Sequence, residues 1–288
     1  MNIKIASHYG MCFGVRDALK STQKAAAAAP LTMLGQLVHN PLVDAKLKDL
    51  GVHQGTLSNI DSVKTQDVVI SAHGAGSDKK MALHAAGLRV TDTTCPLVRK
   101  AHDALAVLVS SGYFPIIIGQ ASHEEVLGLL GDYPQSKVVL HEEDLEQIPY
   151  RPKFGVISQT TQPLISVLTL VDSLKRKHPQ AEVRFIDTIC QPTKQRQKSL
   201  EELCEHCDTI IIVGGHNSNN TRQLFTTATK LGAIAHQVEC ADEINPVWFH
   251  NAQNVGVTAG TSTLDETIRD VVTRLKNIAT QKIIGLLE

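Results

Sequence analysis

The chain has 288 residues, of which 42% are hydrophobic and 20% charged, an ordinary globular composition with enough length to bury a sizeable core. A formal net charge of -1 gives no basic surplus for nucleic acid, and no apolar run reaches the roughly 18 residues of a membrane span. The N-terminus enters a strand without the apolar core of a signal peptide, so a cytoplasmic location is expected, and in that reducing compartment the six cysteines do not read as disulfides.

In chain order, residues 2–6 read as a strand and 15–29 as an alanine-rich helix stopped by Pro30, with Cys12 between them in His8-Tyr9-Gly10-Met11-Cys12-Phe13-Gly14. Residues 31–34 form a strand, and Asn40-Pro41 opens a helix that Gly51 caps. A buried-type strand, 67–71, leads to His73; a helix at 78–86 and a strand at 88–90 precede Asp92-Thr93-Thr94-Cys95-Pro96. Next come a helix at 97–111, a strand at 114–118, a short helix at 124–130, and strands at 137–140 and 154–157, with 141–153 a helical turn and loop. A helix at 164–177 ends before Pro179, and the extended run 183–186 meets Asp187-Thr188-Ile189-Cys190-Gln191-Pro192. The amphipathic helix 193–207, the strand 209–213, a helix opened by the polar turn 217–220, the strand 255–258 and the helix 264–276 complete the chain.

Three kinds of strand end recur with a period of about 90 residues. Cys12, Cys95 and Cys190 each separate a strand from a helix. Gly35-Gln36-Leu37-Val38-His39 corresponds to Gly119-Gln120-Ala121-Ser122-His123 and Gly214-Gly215-His216-Asn217; Ser71-Ala72-His73-Gly74 corresponds to Ser158-Gln159-Thr160-Thr161 and Thr258-Ala259-Gly260-Thr261-Ser262. The economical fold is α/β: three pseudo-threefold-related units, 13–95, 96–188 and 189–288, with small, mostly parallel sheets around a central cavity. The N-terminal strand, within 1–12, is expected to join the third unit.

A cysteine at a helix N-terminus has its thiolate favoured by the helix dipole, which suits a nucleophile or a metal ligand. One reaction needs one nucleophile, whereas three equivalent thiols point to a shared metal. A closed zinc site or a self-sufficient cluster would take a fourth protein ligand, so three thiolates suit a 4Fe-4S cluster with one open iron. Cys204 and Cys207 end a helix without a second CxxC pair, and they and the lone Cys240 read as structural. His39, His73 and His123 are placed to donate to an anion, and Ser218, Asn220 and Ser262, with helix N-terminal amides, to complete a phosphate or diphosphate site. Glu125, in the first turn of a helix, either complements the helix dipole or, in a dry cavity, is a proton source with Thr160 as its relay.

These motifs, with Thr94-Cys95-Pro96-Leu97-Val98, His123-Glu124-Glu125-Val126, Arg196-Gln197 and Asn217-Ser218-Asn219-Asn220, resemble the 4-hydroxy-3-methylbut-2-enyl diphosphate reductases, the LytB family, over nearly the whole chain. The resemblance implies three α/β domains around one 4Fe-4S cluster held by Cys12, Cys95 and Cys190 with one open iron. It implies reductive dehydroxylation of the allylic diphosphate to isopentenyl and dimethylallyl diphosphate, the last step of the methylerythritol phosphate pathway. His39, His73, His123, Thr160, Ser218, Asn219, Asn220 and Ser262 would bind substrate, Glu125, Thr160 and His123 would be catalytic, and a ferredoxin or flavodoxin would donate electrons. No nucleic-acid or membrane partner is expected, and the chain is expected to be a monomer or weak dimer. The sequence departs from the pattern at Glu124, where His-Pro-Glu is usual, and at Gln191, Pro192, His216, Asn219, Thr261 and Leu264. Those departures leave two alternatives: a paralogue reducing or dehydrating another small anion, and a non-enzymatic iron-sulfur sensor.

Overall fold

Short apolar runs, each too brief to be a stable strand alone, pair in parallel into three four-stranded sheets in a computed structural model that describes residues 1–60 and 63–284. Parallel pairing needs a crossover between neighbouring strands, and the helices supply it. The elements in chain order are β1 (Asn2–Ile5), α1 (Phe13–Ala28), β2 (Leu31–Leu34), α2 (Pro41–Asp49), β3 (His53–Gly55), β4 (Asp67–Ile70), α3 (Ser77–Ala85) and β5 (Arg89–Asp92). They continue with α4 (Pro96–Ser110), β6 (Phe114–Ile118), α5 (Glu124–Asp132), β7 (Lys137–Val139), β8 (Lys153–Ser158), α6 (Leu164–Lys177) and β9 (Glu182–Phe185). Last are α7 (Gln191–Cys204), β10 (Thr209–Val213), α8 (Asn219–Lys230), β11 (Ile234–Val238), β12 (Asn254–Ala259) and α9 (Asp265–Ile284).

The sheet orders are β5-β4-β2-β3, β9-β8-β6-β7 and β1-β12-β10-β11, one topology used three times. In each, the first strand named is an edge strand that leads into a cysteine: β5 into Cys95, β9 into Cys190, β1 into Cys12. The chain divides into two compact units. A terminal unit comprises Met1–Phe13, His39–Val43 and Gln191–Glu288 and contains the β1-β12-β10-β11 sheet; a central unit comprises Gly14–Val38 and Asp44–Cys190 and contains the other two.

Central strands are buried on both faces, which is why they read as unbroken apolar runs rather than alternating ones. In the terminal unit, Ile211 and Val213 of β10 join Val271 and Leu275 of α9 on one face. Ile210 and Ile212 join Leu200 of α7 and Leu224 of α8 on the other. In the central unit, Ile116 and Ile118 of β6 pack with Val167 and Val171 of α6, and Ile117 packs with Leu105 and Leu108 of α4. Truncating any of these leucines or isoleucines to alanine removes about 2–5 kcal/mol of stability.

The structure adds what the sequence reading leaves out. Residues 53–55 form the edge strand β3 where no strand is expected, and β11 fills the unassigned stretch after Leu231. Both lie at sheet edges and carry polar residues, so neither has the apolar signature of a central strand. The helix expected to reach Cys207 stops at Cys204, and Cys207 is buried in the core beside Gly256. His178 is buried against Phe154, 4.9 Å between ring centroids. No helix among the described residues is long and apolar enough to cross a membrane.

Candidate active site

The cysteine turns come first, because the sequence marks them most clearly. Asp92 Oδ1 accepts from the Thr94 amide at 2.9 Å, and Asp187 Oδ1 accepts from the Ile189 amide at 3.1 Å. Each is an Asx turn, an aspartate capping the backbone two residues on. The next residue is a threonine in both copies: Thr93 donates to the Ile70 carbonyl at 2.6 Å and Thr188 to the Ser158 carbonyl at 2.5 Å, each acceptor ending the neighbouring strand. Each cysteine amide then bonds the segment following that strand, Cys95 to the Ala72 carbonyl and Cys190 to the Thr160 carbonyl, both at 3.0 Å.

In the terminal unit the Cys12 amide donates to the Thr261 carbonyl at 3.0 Å, the equivalent bond, but the turn before it is built differently. Gly10 takes φ +70°, a left-handed conformation that favours glycine, and its carbonyl accepts from the buried Arg196 guanidinium (Nε at 3.2 Å). Arg196 Nη1 also donates to the Pro192 carbonyl at 2.8 Å, fastening the start of α7.

None of the three cysteines is in a disulfide, and all are partly exposed. Each immediately precedes a helix: α1, α4 or α7. A Cβ on Gly14 would overlap the Cys95 sulfur, so this glycine leaves the thiol its seat. Partly exposed thiols, two on matched turns and Cys12 on a turn that keeps the equivalent amide bond, are donors of the kind that fits an iron-sulfur centre. Cys204 and Cys207 do not fit one. Burial pushes the Cys204 thiol up to about 11 and raises that of Cys207, so both favour the neutral thiol.

The central unit brings together His73, His123, Glu125 and Thr160. His123 caps α5, its Nδ1 accepting from the Glu125 amide at 3.1 Å; the ring proton is therefore on Nε2. The His73 ring meets the His123 ring edge-on, 5.1 Å between centroids. Glu125 is 1% exposed, and Thr160 holds both its oxygens, donating from the amide to Oε1 at 2.7 Å and from Oγ1 to Oε2 at 2.9 Å. Burial raises this carboxyl above its ordinary value; the two Thr160 bonds and the nearby His73 pull the other way without reversing it. The fully buried Gln159 ties the strand end to the Gln120 amide at 3.1 Å.

The terminal unit groups His39 with Ser218, Asn219, Asn220 and Ser262. Ser218 caps α8, its Oγ accepting from the Thr221 amide at 3.4 Å, so the helix N-terminus lies among these polar groups. Asn220 Oδ1 accepts from the Thr261 amide at 3.0 Å, which fixes the side chain, while its Nδ2 is buried without a hydrogen-bond partner. Such an orphaned donor costs about 1–3 kcal/mol, and a bound anion would relieve it. Asn40 Nδ2 donates to the Ser262 carbonyl at 2.7 Å, and Ser262 Oγ to the His39 carbonyl at 3.5 Å.

The profile of the LytB protein family matches residues 3–276. The chain belongs to the LytB family. The 4-hydroxy-3-methylbut-2-enyl diphosphate reductase of Aquifex aeolicus is 35% identical over 292 residues, spanning 99% of each chain. The enzyme of that name in Geobacter metallireducens is 35% identical over 285 residues, 98% of this chain and 99% of its own. Among solved structures, the E-1-hydroxy-2-methyl-but-2-enyl-4-diphosphate reductase of Plasmodium falciparum matches with a TM-score of 0.89 at 25% identity, over 94% of this chain and 87% of its own. An (E)-4-hydroxy-3-methyl-but-2-enyl diphosphate reductase, the terminal enzyme of the non-mevalonate pathway, matches at 0.69 with 35% identity, over 96% and 100%.

Most of this LytB chain's departures sit in the terminal unit, and their geometry there is regular. Asn219 is buried in the first turn of α8, Thr261 supplies the amide that fixes Asn220, and Leu264 is buried. The His216 amide donates to Glu239 at 2.7 Å, and Gln191 and Pro192 open α7. Residues without an assigned role in the sequence reading prove to be organisers: Arg196 and Gln159 hold turns, Asn40 holds Ser262, and Glu124 holds His73. Their signal was their place within the motifs, but what each would touch depends on elements distant in sequence.

Proposed function

We propose that this LytB protein reductively dehydroxylates 4-hydroxy-3-methylbut-2-enyl diphosphate, giving isopentenyl and dimethylallyl diphosphate. The balance is R–OH + 2 e⁻ + 2 H⁺ → R–H + H2O: the allylic C–O bond breaks, a C–H bond forms, and the hydroxyl leaves as water. Full-length similarity to reductases so named supports the substrate class. The observation that carries the reading is Glu125, a buried acid held on both oxygens by Thr160 and two residues from His123, which caps the same helix.

Each residue then has a task. His39, His73, His123, Thr160, Ser218, Asn219, Asn220 and Ser262 would bind the diphosphate, with the α8 N-terminus adding backbone donors and a favourable dipole. The imidazoles are donors suited to an anion, and burial of the serine and asparagine donors keeps water from competing for them. Glu125, whose burial favours the protonated form, delivers a proton to the departing hydroxyl, and Thr160 fixes its orientation and relays the proton. Cys12, Cys95 and Cys190 would hold a 4Fe-4S cluster with one open iron. That centre, when bound, supplies the two electrons one at a time, with a ferredoxin or flavodoxin as their source.

The test is Glu125→Gln. It keeps the side chain's shape and its acceptor for the Thr160 amide but has no transferable proton. We expect turnover to fall by about 100-fold or more while the visible spectrum of the reconstituted centre is unchanged. Retention of native turnover by this variant would overturn the assignment.

A further inference from the structure

The central unit contains a carboxylate that the proposed mechanism does not use. Glu124 Oε2 lies 3.0 Å from His73 Nδ1 and accepts from Ser71 Oγ at 3.3 Å. The same Ser71 hydroxyl accepts from the His73 amide at 3.3 Å, so one closed set of bonds holds both the backbone and the ring of His73. The seat of the carboxylate is shaped for it: Gly35 has φ +85°, and a Cβ there would lie 2.9 Å from Glu124 Oε1. Glu124 also helps to push up the carboxyl of nearby Asp44, after the larger effect of burial.

The two neighbouring histidines are therefore held in opposite ways. His123 gives its Nδ1 lone pair to a backbone amide, so its neutral ring already donates from Nε2. His73 gives its Nδ1–H to a carboxylate, so its neutral ring would offer a lone pair at Nε2, the wrong sense for an anion. To donate from Nε2 it must be an imidazolium, and Glu124 is the counter-charge beside it.

We propose that Glu124 is a positioning residue that fixes His73 as a doubly protonated ring donating from Nε2 to the diphosphate. This rests on the reading of His73 as a diphosphate ligand. It also accounts for an acid at the position where the sequence departs from His-Pro-Glu.

The sign of the effect makes the test decisive. A carboxylate that merely stood near the site would repel an anion, so neutralising it would tighten binding. A positioning carboxylate predicts weaker binding instead. The experiment titrates inorganic pyrophosphate calorimetrically into the full chain with its iron-sulfur centre reconstituted, as native protein, Glu124→Gln, Glu124→Ala, His73→Asn and the Glu124→Ala/His73→Asn double variant. Both Glu124 variants should weaken pyrophosphate about tenfold, and Glu124→Ala should change little once His73 is asparagine. With the allylic diphosphate, KM should rise about tenfold while kcat stays within about twofold. Unchanged or tighter pyrophosphate binding by Glu124→Gln would overturn the inference. So would an equal loss from Glu124→Ala in the His73→Asn background, or no pyrophosphate binding by the native chain. Pyrophosphate binding is read without turnover, so a native protein that binds it but does not reduce the allylic diphosphate defeats the proposed function and leaves this inference standing.

Discussion

Glu125 is the residue whose environment most constrains its chemistry. With 1% exposure it can ionise only at a desolvation cost, and the two Thr160 bonds offset that cost in part. Its folded-state pKa is raised, so its contribution to stability is fully present below the ordinary value of 4.5 and is lost as pH rises through the raised one. Glu125→Gln suffers no such loss. In thermal melts it should therefore unfold a few degrees above the native chain at pH above that raised value, with the gap closing on acidification toward pH 4. A gap that widened on acidification would mean that the native carboxylate is stabilised as an ion. At this scale the sequence displays much: a histidine and two acids together, a threonine at a strand end, a serine beside asparagines. It does not display that Glu124 and Glu125 point to different partners, His73 and Thr160, because those contacts join β4 and β8 to the start of α5.

At the scale of elements, a strand, an Asx turn, a threonine bond to the neighbouring strand, a cysteine and a helix form one device, used with Cys95 and again with Cys190. Its short phrase Asp-Thr-x-Cys was legible because it recurs between a strand and a helix and its aspartate caps backbone two residues on, while the threonine bonds to the neighbouring strand were not. The Cys12 turn replaces the aspartate with Gly10 and the distant Arg196, so its build could not be read locally. The edge strands β3 and β11 escaped for a related reason: polar strands at a sheet edge need no apolar run. The first turn of α1 meets the Cys95 sulfur without room for a methyl group. Gly14→Ala should therefore lose at least half of the iron bound by the native chain on anaerobic reconstitution, while its melting temperature stays within about 5 °C, because the displaced group is a partly exposed thiol rather than core. Native iron content would show that the thiol needs no such seat.

Across the whole molecule, one sheet topology occurs three times, each copy leading from an edge strand into one cysteine. If the thiols are equal ligands, Cys12→Ser, Cys95→Ser and Cys190→Ser should each abolish iron retention and turnover to a similar degree. Cys204→Ser and Cys207→Ser should keep both, since burial disfavours their thiolates. Iron and sulfide assays on the five variants check this, and a cysteine of the first three that proved dispensable would break the threefold assignment. The repeated order was visible as a period of about 90 residues in the markers, since strand ends keep their polar chemistry while the rest of each repeat drifts.

Anaerobic turnover decides whether this chain is the reductase. The chain is reconstituted with iron and sulfide, reduced by a chemical one-electron donor, and given 4-hydroxy-3-methylbut-2-enyl diphosphate, with products identified by mass. Isopentenyl and dimethylallyl diphosphate should form, catalytically and only with the reconstituted centre. A chain that carries the centre, binds the diphosphate and yields neither product would contradict the proposed function.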